Sequence, residues 1–471
     1  MSSSSENRKT IHTALINTVA NGISLIVGMV MVPVIARVFS TSELGIATTF
    51  ISTRNIVVVI VMLAIYSFVY KAMIVYKDNI YDYLLSAILF CFFTDVVAFV
   101  VALPFKKELI KLLSLDNFLF YWLFISILVF AVGNIANYYC LFFNRSIKVG
   151  MIVLLIGPVS QIVSVVLGSY LDDNKYIGRV IGLDISYLIV SIVFLAFILA
   201  KGHSFKLDYI KTSLAHTVPI IPHLLAQMVL TQCDLLMISY FVGSDKSGIY
   251  SMGHTIGYLA YTVMAQILAS WSPWVYRRLA ERQYNEIKRN SSLMIIFASY
   301  ISFGLLTIYP ELVSIFLTKA YTSCVYVIPP LVMAMYFQIT YTFLYDLEFF
   351  VKRTKIVAVA SVIAAGLNVA MNFIFIPRFG FVAAAYTTLT SYFVLFVINY
   401  AFCIKINVRN IYDMKSMIFG ILIVGTWGFI TLGLLHNIVV RYVVLCLVSA
   451  IIIKTQFQKA KIAWSVIRGK E

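Results

Sequence analysis

Charged residues are scarce in this chain of 471 residues. Asp, Glu, Lys and Arg together make up 12% of it, whereas soluble domains carry roughly 25%. Hydrophobic residues make up 61%, and the mean hydropathy is +0.94. A water-soluble core with a charged surface is therefore excluded, and almost all of the chain up to Ile453 is predicted to be membrane-embedded.

Sequence signatures of catalysis are also missing. The chain has no Gly-x-x-x-x-Gly-Lys-Ser/Thr loop to cradle ATP, no metal-ligand spacing and no nucleophile elbow. The alternative function, of a different class, is that of a membrane-bound enzyme such as a polysaccharide polymerase or glycosyltransferase. Such an enzyme usually needs a sizeable loop domain. The longest internal connection here, from Pro310 to Val325, has only 16 residues. The sequence therefore predicts a protein that is not an enzyme and has no metal or organic cofactor.

Neither disulfides nor a cleaved leader are indicated. The six cysteines are widely scattered along the chain, which does not resemble a disulfide framework. The first apolar run, 11–36, is too long for the apolar region of a signal peptide and lacks a small-x-small cleavage site. We interpret it as a retained first helix.

Apolar runs of membrane-spanning length fill most of the chain. About 20 apolar residues cross a bilayer as a helix, and splitting the runs at charged or Pro/Gly-rich breaks predicts an all-α protein of about fourteen transmembrane helices. These lie near 11–36, 45–70, 83–103, 118–143, 149–170, 177–200, 214–242, 248–271, 292–309, 326–347, 356–376, 383–403, 416–434 and 439–453.

The distribution of Lys and Arg predicts the orientation. With the N-terminus placed inside, 25 of the 36 basic residues fall in inside segments, 10 fall outside, and Arg54 alone remains within a span. Cytoplasmic loops carry such an excess, so both termini are predicted to be cytoplasmic. Because the charges are spread over many short loops, the net charge of +16 indicates topology and contact with anionic lipid rather than nucleic-acid binding.

The two halves of the chain resemble each other. Gly45-Ile46, after the first helix, matches Gly248-Ile249, after the seventh, at an offset of 203 residues. Two further weak matches follow at offsets of 202 and 207 residues, 178–182 with 380–384 and 146–148 with 353–355. This pattern predicts a duplicated six-helix unit.

A duplicated unit with an even number of helices enters the membrane twice from the same side. Its copies are then related by a pseudo-two-fold axis along the membrane normal, and such repeats usually enclose a site at their interface and work by rocking. The predicted parts are an N-terminal lobe (1–205), a C-terminal lobe (206–405), an extra helix pair (406–453) and a cytoplasmic basic tail (454–471).

Three stretches resemble a known family. Residues 17–45 are similar to its opening pattern, and residues 219–273 carry a proline-started helix, Asp234, Gly-Ile-Tyr-Ser and a closing Trp-x-Pro. Residues 368–380 resemble its Asn-x-x-x-Asn…Ile-Pro-x-x-Gly run. The chain thus resembles the Wzx-type flippases of lipid-linked oligosaccharides, in the multidrug/oligosaccharidyl-lipid/polysaccharide exporter superfamily.

The resemblance implies a MATE-like fold and a function. Drug antiporters of this superfamily typically have twelve helices and its oligosaccharide and lipid II flippases fourteen, so the extra pair favours a flippase. The expected activity is translocation of an undecaprenyl-diphosphate-linked oligosaccharide across the bacterial cytoplasmic (inner) membrane by alternating access, for capsule, O-antigen or exopolysaccharide synthesis. The alternatives are a MATE-like ion-coupled drug antiporter and a lipid II flippase, although the latter usually places several arginines in its cavity.

The implied partners are the lipid-linked substrate, membrane lipids, a polysaccharide polymerase and glycosyltransferases, and a monomer is expected. Such a substrate needs cations for its diphosphate and amides or aromatics for its sugars. Arg54 is the foremost candidate, because intramembrane ionisable residues are functional by default and guanidinium binds phosphate in a bidentate manner. Its alternative roles are snorkelling to the surface and pairing with Asp95.

Four groups of polar or aromatic residues share predicted helix faces and complete the candidate substrate site. Helix-to-helix hydrogen bonding and interfacial aromatic belts are the alternative explanations for them. Asp95 and Asp184 are candidates for coupling to H+ or Na+. The four groups are His216, His223, Gln227 and Asp234; His254, Tyr258 and Tyr261; Gln338, Tyr341 and Tyr345; and Asn17 and Asn21.

Overall fold

The computed structural model describes the backbone of residues 2–143, 146–405 and 411–467, and the side chains of residue 16 and of residues 19–143, 148–353, 355–405, 411–451 and 454. Helices make up nearly all of these residues, and no strand occurs among them. Each of the fourteen predicted helices coincides with a helical segment, which confirms the predicted fold class.

The first half of the chain contains six membrane-crossing units, several of which are broken. The predicted helix 45–70 was wrong in its length, because α2 ends at Val61 and the backbone turns sharply through Leu63 and Ala64, both with positive φ. The helices are α1 (Ser2–Val38), α2 (Thr41–Val61), α3 (Val69–Val75), α4 (Ile80–Ala102), α5 (Lys106–Leu112), α6 (Asn117–Phe142), α7 (Ser146–Leu154), α8 (Ser160–Ser169) and α9 (Lys175–Leu199).

The second half repeats this arrangement and adds two helices. Pro219 and Pro222 were predicted to break the seventh span, and a 3-10 turn at Val218–Ile220 does interrupt it, because proline cannot donate the helical hydrogen bond. The helices are α10 (Leu207–Thr217), α11 (Ile221–Phe241), α12 (Ser244–Gly257), α13 (Leu259–Ala280), α14 (Tyr284–Phe316), α15 (Ile328–Phe350), α16 (Thr354–Phe379), α17 (Val382–Lys405), α18 (Met414–Gly433) and α19 (Ile438–Ile467).

Eleven of the described helical stretches are long and apolar enough to cross a membrane, and the bent pair Lys319–Tyr326 and Ile328–Phe350 adds a twelfth. The remaining two predicted spans correspond to α12 with α13 and to the shorter apolar helix Ile438–Ile451. The predicted connection from Pro310 was wrong, because α14 continues through Pro310 to Phe316. No compact loop domain stands between the described helices.

The apolar residues form separate cores in the two halves. One core lies among α2, α4, α6 and α9, and α10 adds Tyr209 and Ile210 to it. The other lies among α12 to α18 and also takes in Met31, Ile35 and Phe39 from the last turns of α1. The two lobes therefore contact each other through two helices. The end of α1 packs into the core of the C-terminal lobe. α10, which follows the N-terminal lobe in the chain, packs into the core of that lobe.

An ion pair anchors the last helix to the C-terminal lobe. The Arg441 guanidinium of α19 is fully buried and donates to both carboxylate oxygens of Glu311 on α14, at 2.5 and 2.9 Å, and to the Thr307 carbonyl. The Arg441 side chain thus lies inside the helix bundle.

Candidate functional site

The lobes meet closely where α2 crosses α12. Ser42 lies 3.0 Å from Ser244, and Thr49 lies 3.2 Å from Ser247, in each case between hydroxyl oxygens. Between these contacts, a Cβ atom at Gly45 would collide with the Ser244 carbonyl. The Tyr321 hydroxyl of the C-terminal lobe also donates to the Phe39 carbonyl at 2.8 Å. We call this region, formed by residues 36–49, 244–248 and 318–321, the closed end.

The two glycines at this crossing are the pair that the internal repeat matched. A Cβ atom at Gly248 would collide with the Thr41 carbonyl, just as one at Gly45 would collide with that of Ser244. The reciprocal contact places equivalent residues of the two halves side by side, as a pseudo-two-fold axis requires. Only glycine permits so close an approach of the two backbones.

Arg54 lies inside the N-terminal lobe and is held by Asp184. Its side chain is buried, and Nη1 donates to Asp184 Oδ1 at 2.5 Å and to Ser126 Oγ at 3.4 Å. The guanidinium also stands over the Phe130 ring, with 4.6 Å between Cζ and the ring centroid. Arg54 therefore neither snorkels to the surface nor pairs with Asp95.

The two acids of the N-terminal lobe differ in their surroundings. Asp184 is balanced by Arg54, and its second oxygen accepts a hydrogen bond from Trp122 Nε1 at 2.9 Å. Asp95 is also buried, yet its Oδ1 atom has no hydrogen-bond partner among the described residues. Asp184 is thus part of a satisfied ion pair, whereas Asp95 is an isolated buried acid.

A second polar centre lies in the C-terminal lobe around Asp234. Its carboxylate is buried and accepts hydrogen bonds from the Tyr250 hydroxyl at 2.7 Å, the Thr388 hydroxyl at 2.5 Å and the Asn372 amide at 2.7 Å. All three donors are neutral. Unlike Asp184, Asp234 has no basic side chain within 4.0 Å among the described residues to balance an ionised carboxylate.

Asn368 and Asn372 extend this centre along one face of α16. They lie one helical turn apart, both fully buried, with Asn372 Nδ2 donating to Asn368 Oδ1 at 3.2 Å. Asn368 donates to Thr388, and Thr387 donates to Asn372 Oδ1. The sequence marked both asparagines as a family motif but not as site residues. Nothing in the chain order indicates their proximity to Asp234, more than 130 residues away.

This cluster could hold a small hard cation. It offers one carboxylate together with amide and hydroxyl oxygens, which are the ligands that such ions prefer. No group of three or more His, Cys, Asp or Glu side chains among the described residues could hold a transition metal. The cluster is therefore suited to a monovalent cation or to a proton on Asp234.

The predicted polar stripe on the seventh span is divided. His216 lies before the 3-10 turn, is exposed, and contacts Phe68 of the N-terminal lobe with 5.0 Å between the tilted rings' centroids. The 3-10 turn at Val218–Ile220 therefore separates His216 from the rest of the stripe. Gln227 remains inside the C-terminal lobe and donates to Ser361 Oγ at 3.3 Å.

Aromatic and imidazole groups line the interior of the C-terminal lobe. His254 stacks on Tyr258 at 3.8 Å, and Tyr258 meets Tyr261 edge-on at 6.3 Å. Across the lobe, His223 stacks with Tyr345 at 6.3 Å. His254 lies beside the Asp234 centre, because its ring is 6.2 Å from that of Tyr250, which donates to Asp234.

The other predicted residues are placed as follows. Tyr341 is buried in the same small core as Tyr392, with Tyr345 packed against it. Gln338 is partly buried, and its Oε1 atom has no hydrogen-bond partner in the described part of the chain. Asn21 of α1 is partly buried and interacts with a neighbouring group. The side chain of Asn17 lies outside the described residues.

A cavity of about 300 Å³, largely apolar but with Arg179, Gln161 and several hydroxyls in its wall, lies between the lobes, next to the closed end. α1, α2, α8 and α9 line it from the N-terminal lobe, and α12 and α13 line it from the C-terminal lobe. Arg179 is buried in its wall. Hydropathy locates a residue along a helix but does not show where its side chain points.

Comparisons with known proteins identify the fold. Residues 11–278 match the family model described as "Polysaccharide biosynthesis protein". No curated protein sequence matches the chain significantly. Among solved structures, "Lipid II flippase MurJ, inward closed conformation" is similar with a TM-score of 0.71 at 15% identity, covering 94% of this chain and 100% of that chain.

Two further structures share the fold at lower similarity. One is an inward-facing multidrug resistance MATE family transporter of the MOP superfamily, with a TM-score of 0.62 at 10% identity over 88% of this chain and 98% of that chain. The other is a MOP superfamily transporter from Pyrococcus furiosus, with a TM-score of 0.51 at 11% identity over 91% and 96%. At these identities the likeness shows the fold alone.

Proposed function

The chain belongs to the family of polysaccharide biosynthesis proteins, and on that basis we propose that it flips an undecaprenyl-diphosphate-linked oligosaccharide across the bacterial cytoplasmic membrane. The observation that carries the proposal is the family match over residues 11–278. The cavity between two lobes of a MATE-like fold supports it, since paired repeats transport by exposing such a site to each side in turn.

The closed end is proposed to face the outside. In the orientation predicted from the Lys and Arg bias, α1 runs outward and ends at Val38. The contacts of Ser42 and Thr49 with α12 then seal the outer face. Loading would occur from the cytoplasmic side, and separation of the lobes at the closed end would release the sugar outside while the polyprenyl tail stays in lipid.

Arg54 is proposed to contact the diphosphate during this cycle. Its Nε atom is buried without a hydrogen-bond partner among the described residues, so one donor of the guanidinium remains unused. A diphosphate would compete with Asp184 for Nη1 and with Asn55 for Nη2, and a charge-assisted bidentate contact is the strongest that arginine makes. His223, His254, Tyr258, Tyr261, Tyr345, Gln227 and Gln338 are proposed to contact sugars or shape their path.

Coupling to a cation is proposed for Asp234. A buried carboxylate with only neutral donors is costly unless a proton or cation compensates its charge. Asn368, Asn372 and Thr388 supply further oxygens. Binding of Na+ or H+ there would link the arrangement of α11, α16 and α17 to an ion gradient. Asp95, isolated in the other lobe, is the alternative protonation site.

The proposal is tested by a flipping assay in proteoliposomes. The full chain is reconstituted with a fluorescent undecaprenyl-diphosphate trisaccharide, and arrival in the opposite leaflet is detected with a membrane-impermeant glycosidase. Flipping above the rate of protein-free liposomes is expected. Lipid II and ethidium are assayed in parallel, and transport of either in place of the trisaccharide would overturn the proposal in favour of a lipid II flippase or a drug antiporter.

The same assay tests Arg54. Arg54→Gln is expected to slow flipping by about tenfold or more, the effect of losing one charge-assisted contact. Arg378→Gln, which removes an exposed positive charge, serves as the matched control. Since Arg54→Gln leaves Asp184 unpaired, the double variant Arg54→Gln/Asp184→Asn separates loss of contact from loss of fold. Unchanged flipping in the double variant would remove the role assigned to Arg54.

A further inference from the structure

A buried arginine without a counter-ion lies in the wall of the interlobe cavity. Arg179, one turn into α9, is 7% exposed, and Nη1 donates to Ser164 Oγ at 2.5 Å. Its Nε atom is buried without a partner, and no carboxylate of the described residues lies within 4.0 Å of it. Most of its five N–H groups therefore have no acceptor in the part of the chain that the structure describes.

The other buried arginines show how unusual this is. Arg54 is paired with Asp184, and Arg441 is paired with Glu311. An unpaired buried charge destabilises a protein strongly, so a fold that keeps one next to a cavity leaves room for a compensating anion. Arg179 differs from Arg54 in that a ligand there need not displace a carboxylate.

The other polar groups of the largely apolar cavity wall are suited to a sugar. The hydroxyls of Ser24, Thr48, Thr255 and Thr262 donate to carbonyls of their own helices, at 2.8 to 2.9 Å. Their donors are thus occupied, while the oxygen lone pairs remain able to accept hydrogen bonds from sugar hydroxyls. Gln161 adds an amide, which both donates and accepts.

The cavity is also placed to respond to transport. Arg179 and Gln161 belong to the N-terminal lobe, and Thr255 and Thr262 to the C-terminal lobe. A volume of about 300 Å³ lies at the lower end of the range of small-molecule sites. Any rocking that parts the closed end changes the distance between the two walls, so a ligand that contacts both would be gripped in one state and released in the other.

We propose that this cavity binds the junction between phosphate and first sugar of the lipid-linked substrate, with Arg179 on the phosphate and the hydroxyls of both lobes on the sugar. This inference rests on the proposed function. It assigns to the outer half of the transport path a second anion contact, distinct from Arg54. The diphosphate would pass from Arg54 to Arg179. At Arg54 it competes with the Asp184 carboxylate for the guanidinium, whereas at Arg179 no carboxylate of the described residues competes with it.

Binding to the purified full chain in detergent tests the site. The probes are undecaprenyl diphosphate bearing one N-acetylhexosamine, undecaprenyl diphosphate, undecaprenol and phosphatidylglycerol, with dissociation constants measured by native mass spectrometry. Arg179→Gln is expected to weaken binding of the first probe by about 10- to 100-fold. Arg179→Lys, which keeps a positive charge, is expected to lose less. Arg378→Gln, which removes an exposed charge near the end of α16, should change nothing.

A second variant keeps the test independent of folding. Thr255→Phe leaves Arg179 intact but fills the cavity from the opposite lobe, and it is expected to weaken binding of the same probe to a similar extent. Unchanged affinity in both Arg179→Gln and Thr255→Phe would overturn the proposal. Equal, Arg179-dependent binding of phosphatidylglycerol would also overturn it, by assigning the site to a phospholipid headgroup.

The outcomes separate this inference from the proposed function. If the wild type flips the trisaccharide and both cavity variants bind and flip like it, the flippase stands and the Arg179 site fails. If the glycosylated probe binds in an Arg179-dependent manner but no trisaccharide is flipped in proteoliposomes, the binding site stands and the flippase proposal fails.

Discussion

At the scale of single residues, the main result is that buried charges differ in how they are compensated. Arg54 and Asp184 compensate each other, at 6% and 1% exposure. Asp234 is surrounded by neutral donors, and Arg179 faces a cavity. A satisfied pair contributes to structure, whereas an uncompensated charge demands a ligand, so the three sites are expected to respond differently to substitution.

The Arg54–Asp184 pair is expected to behave as one unit. Asp184→Asn or Arg54→Leu alone should lower the free energy of unfolding by about 3–5 kcal/mol, because each leaves the other charge buried and unpaired. The double variant Arg54→Leu/Asp184→Asn should be less destabilised than the sum of the two. Unfolding in mixed micelles by SDS titration measures this. Additive effects would show that the two charges do not interact.

Asp234 is expected to control coupling rather than folding. Asp234→Asn keeps the size of the side chain and its acceptor oxygen but removes the charge, so stimulation of flipping by an inward Na+ or H+ gradient should be lost. Proteoliposomes with imposed gradients measure the effect. Asp172→Asn, which removes an exposed carboxylate between α8 and α9, is the control. Equal stimulation in the Asp234→Asn variant would contradict a coupling role.

At the scale of helices, close packing of α2 on α12 defines the closed end. The crossing depends on two glycines, and the serines and threonines beside them hydrogen-bond across the lobes. Overpacking at such a contact costs about 1–3 kcal/mol. Here overpacking destabilises only the arrangement in which the closed end is shut, because α2 and α12 need not touch when that end opens.

Gly45→Ala is therefore expected to shift the lobes away from closure by about 1–3 kcal/mol. With the six native cysteines replaced by alanine, Ser42→Cys and Ser244→Cys should form a disulfide readily in the parent and more slowly in the Gly45→Ala variant. Gly304→Ala is the matched control, because nothing lies within 4 Å of its added Cβ. Equal cross-linking in all three would mean that the crossing does not govern closure.

Helix existence was predictable from sequence, but helix breaks were only partly so. Long apolar runs identify spans because the bilayer imposes a minimum length, and Pro219 and Pro222 correctly indicated the break before α11. The break after Val61 carries no proline or glycine, so no local signal marked it. His216 was grouped with Asp234 by helical periodicity, which does not hold across a break.

At the scale of the whole molecule, alternating access predicts that locking the closed end stops transport. The Ser42→Cys/Ser244→Cys variant in the cysteine-free background is expected to lose flipping after oxidation and to regain it after reduction. Each single cysteine variant should be insensitive to both treatments. Flipping that continues in the fully oxidised double variant would contradict transport through this end of the interlobe path.

The overall architecture could be predicted because it follows from composition and duplication, whereas the polar centres could not. The match of Gly45 with Gly248 pointed to two related halves, and the structure brings those glycines into contact. Which acid pairs with Arg54 depends on which helix lies beside α2. Asp95 and Asp184 are equally plausible partners until α9 is placed there. The nearness of Asp234 to Asn372 likewise arises only from three-dimensional packing.

The close contact at Gly45 and Gly248 also determines which second-site mutations could suppress a substitution of either glycine. A side chain at Gly45 or Gly248 would strike a carbonyl oxygen, at Ser244 or Thr41 respectively. Every amino acid carries that oxygen, so no exchange at the opposing residue can make room. A genetic screen for suppressors of Gly45→Ala should therefore recover changes that tilt or loosen α2 and α12 elsewhere along their lengths, and none at residue 244.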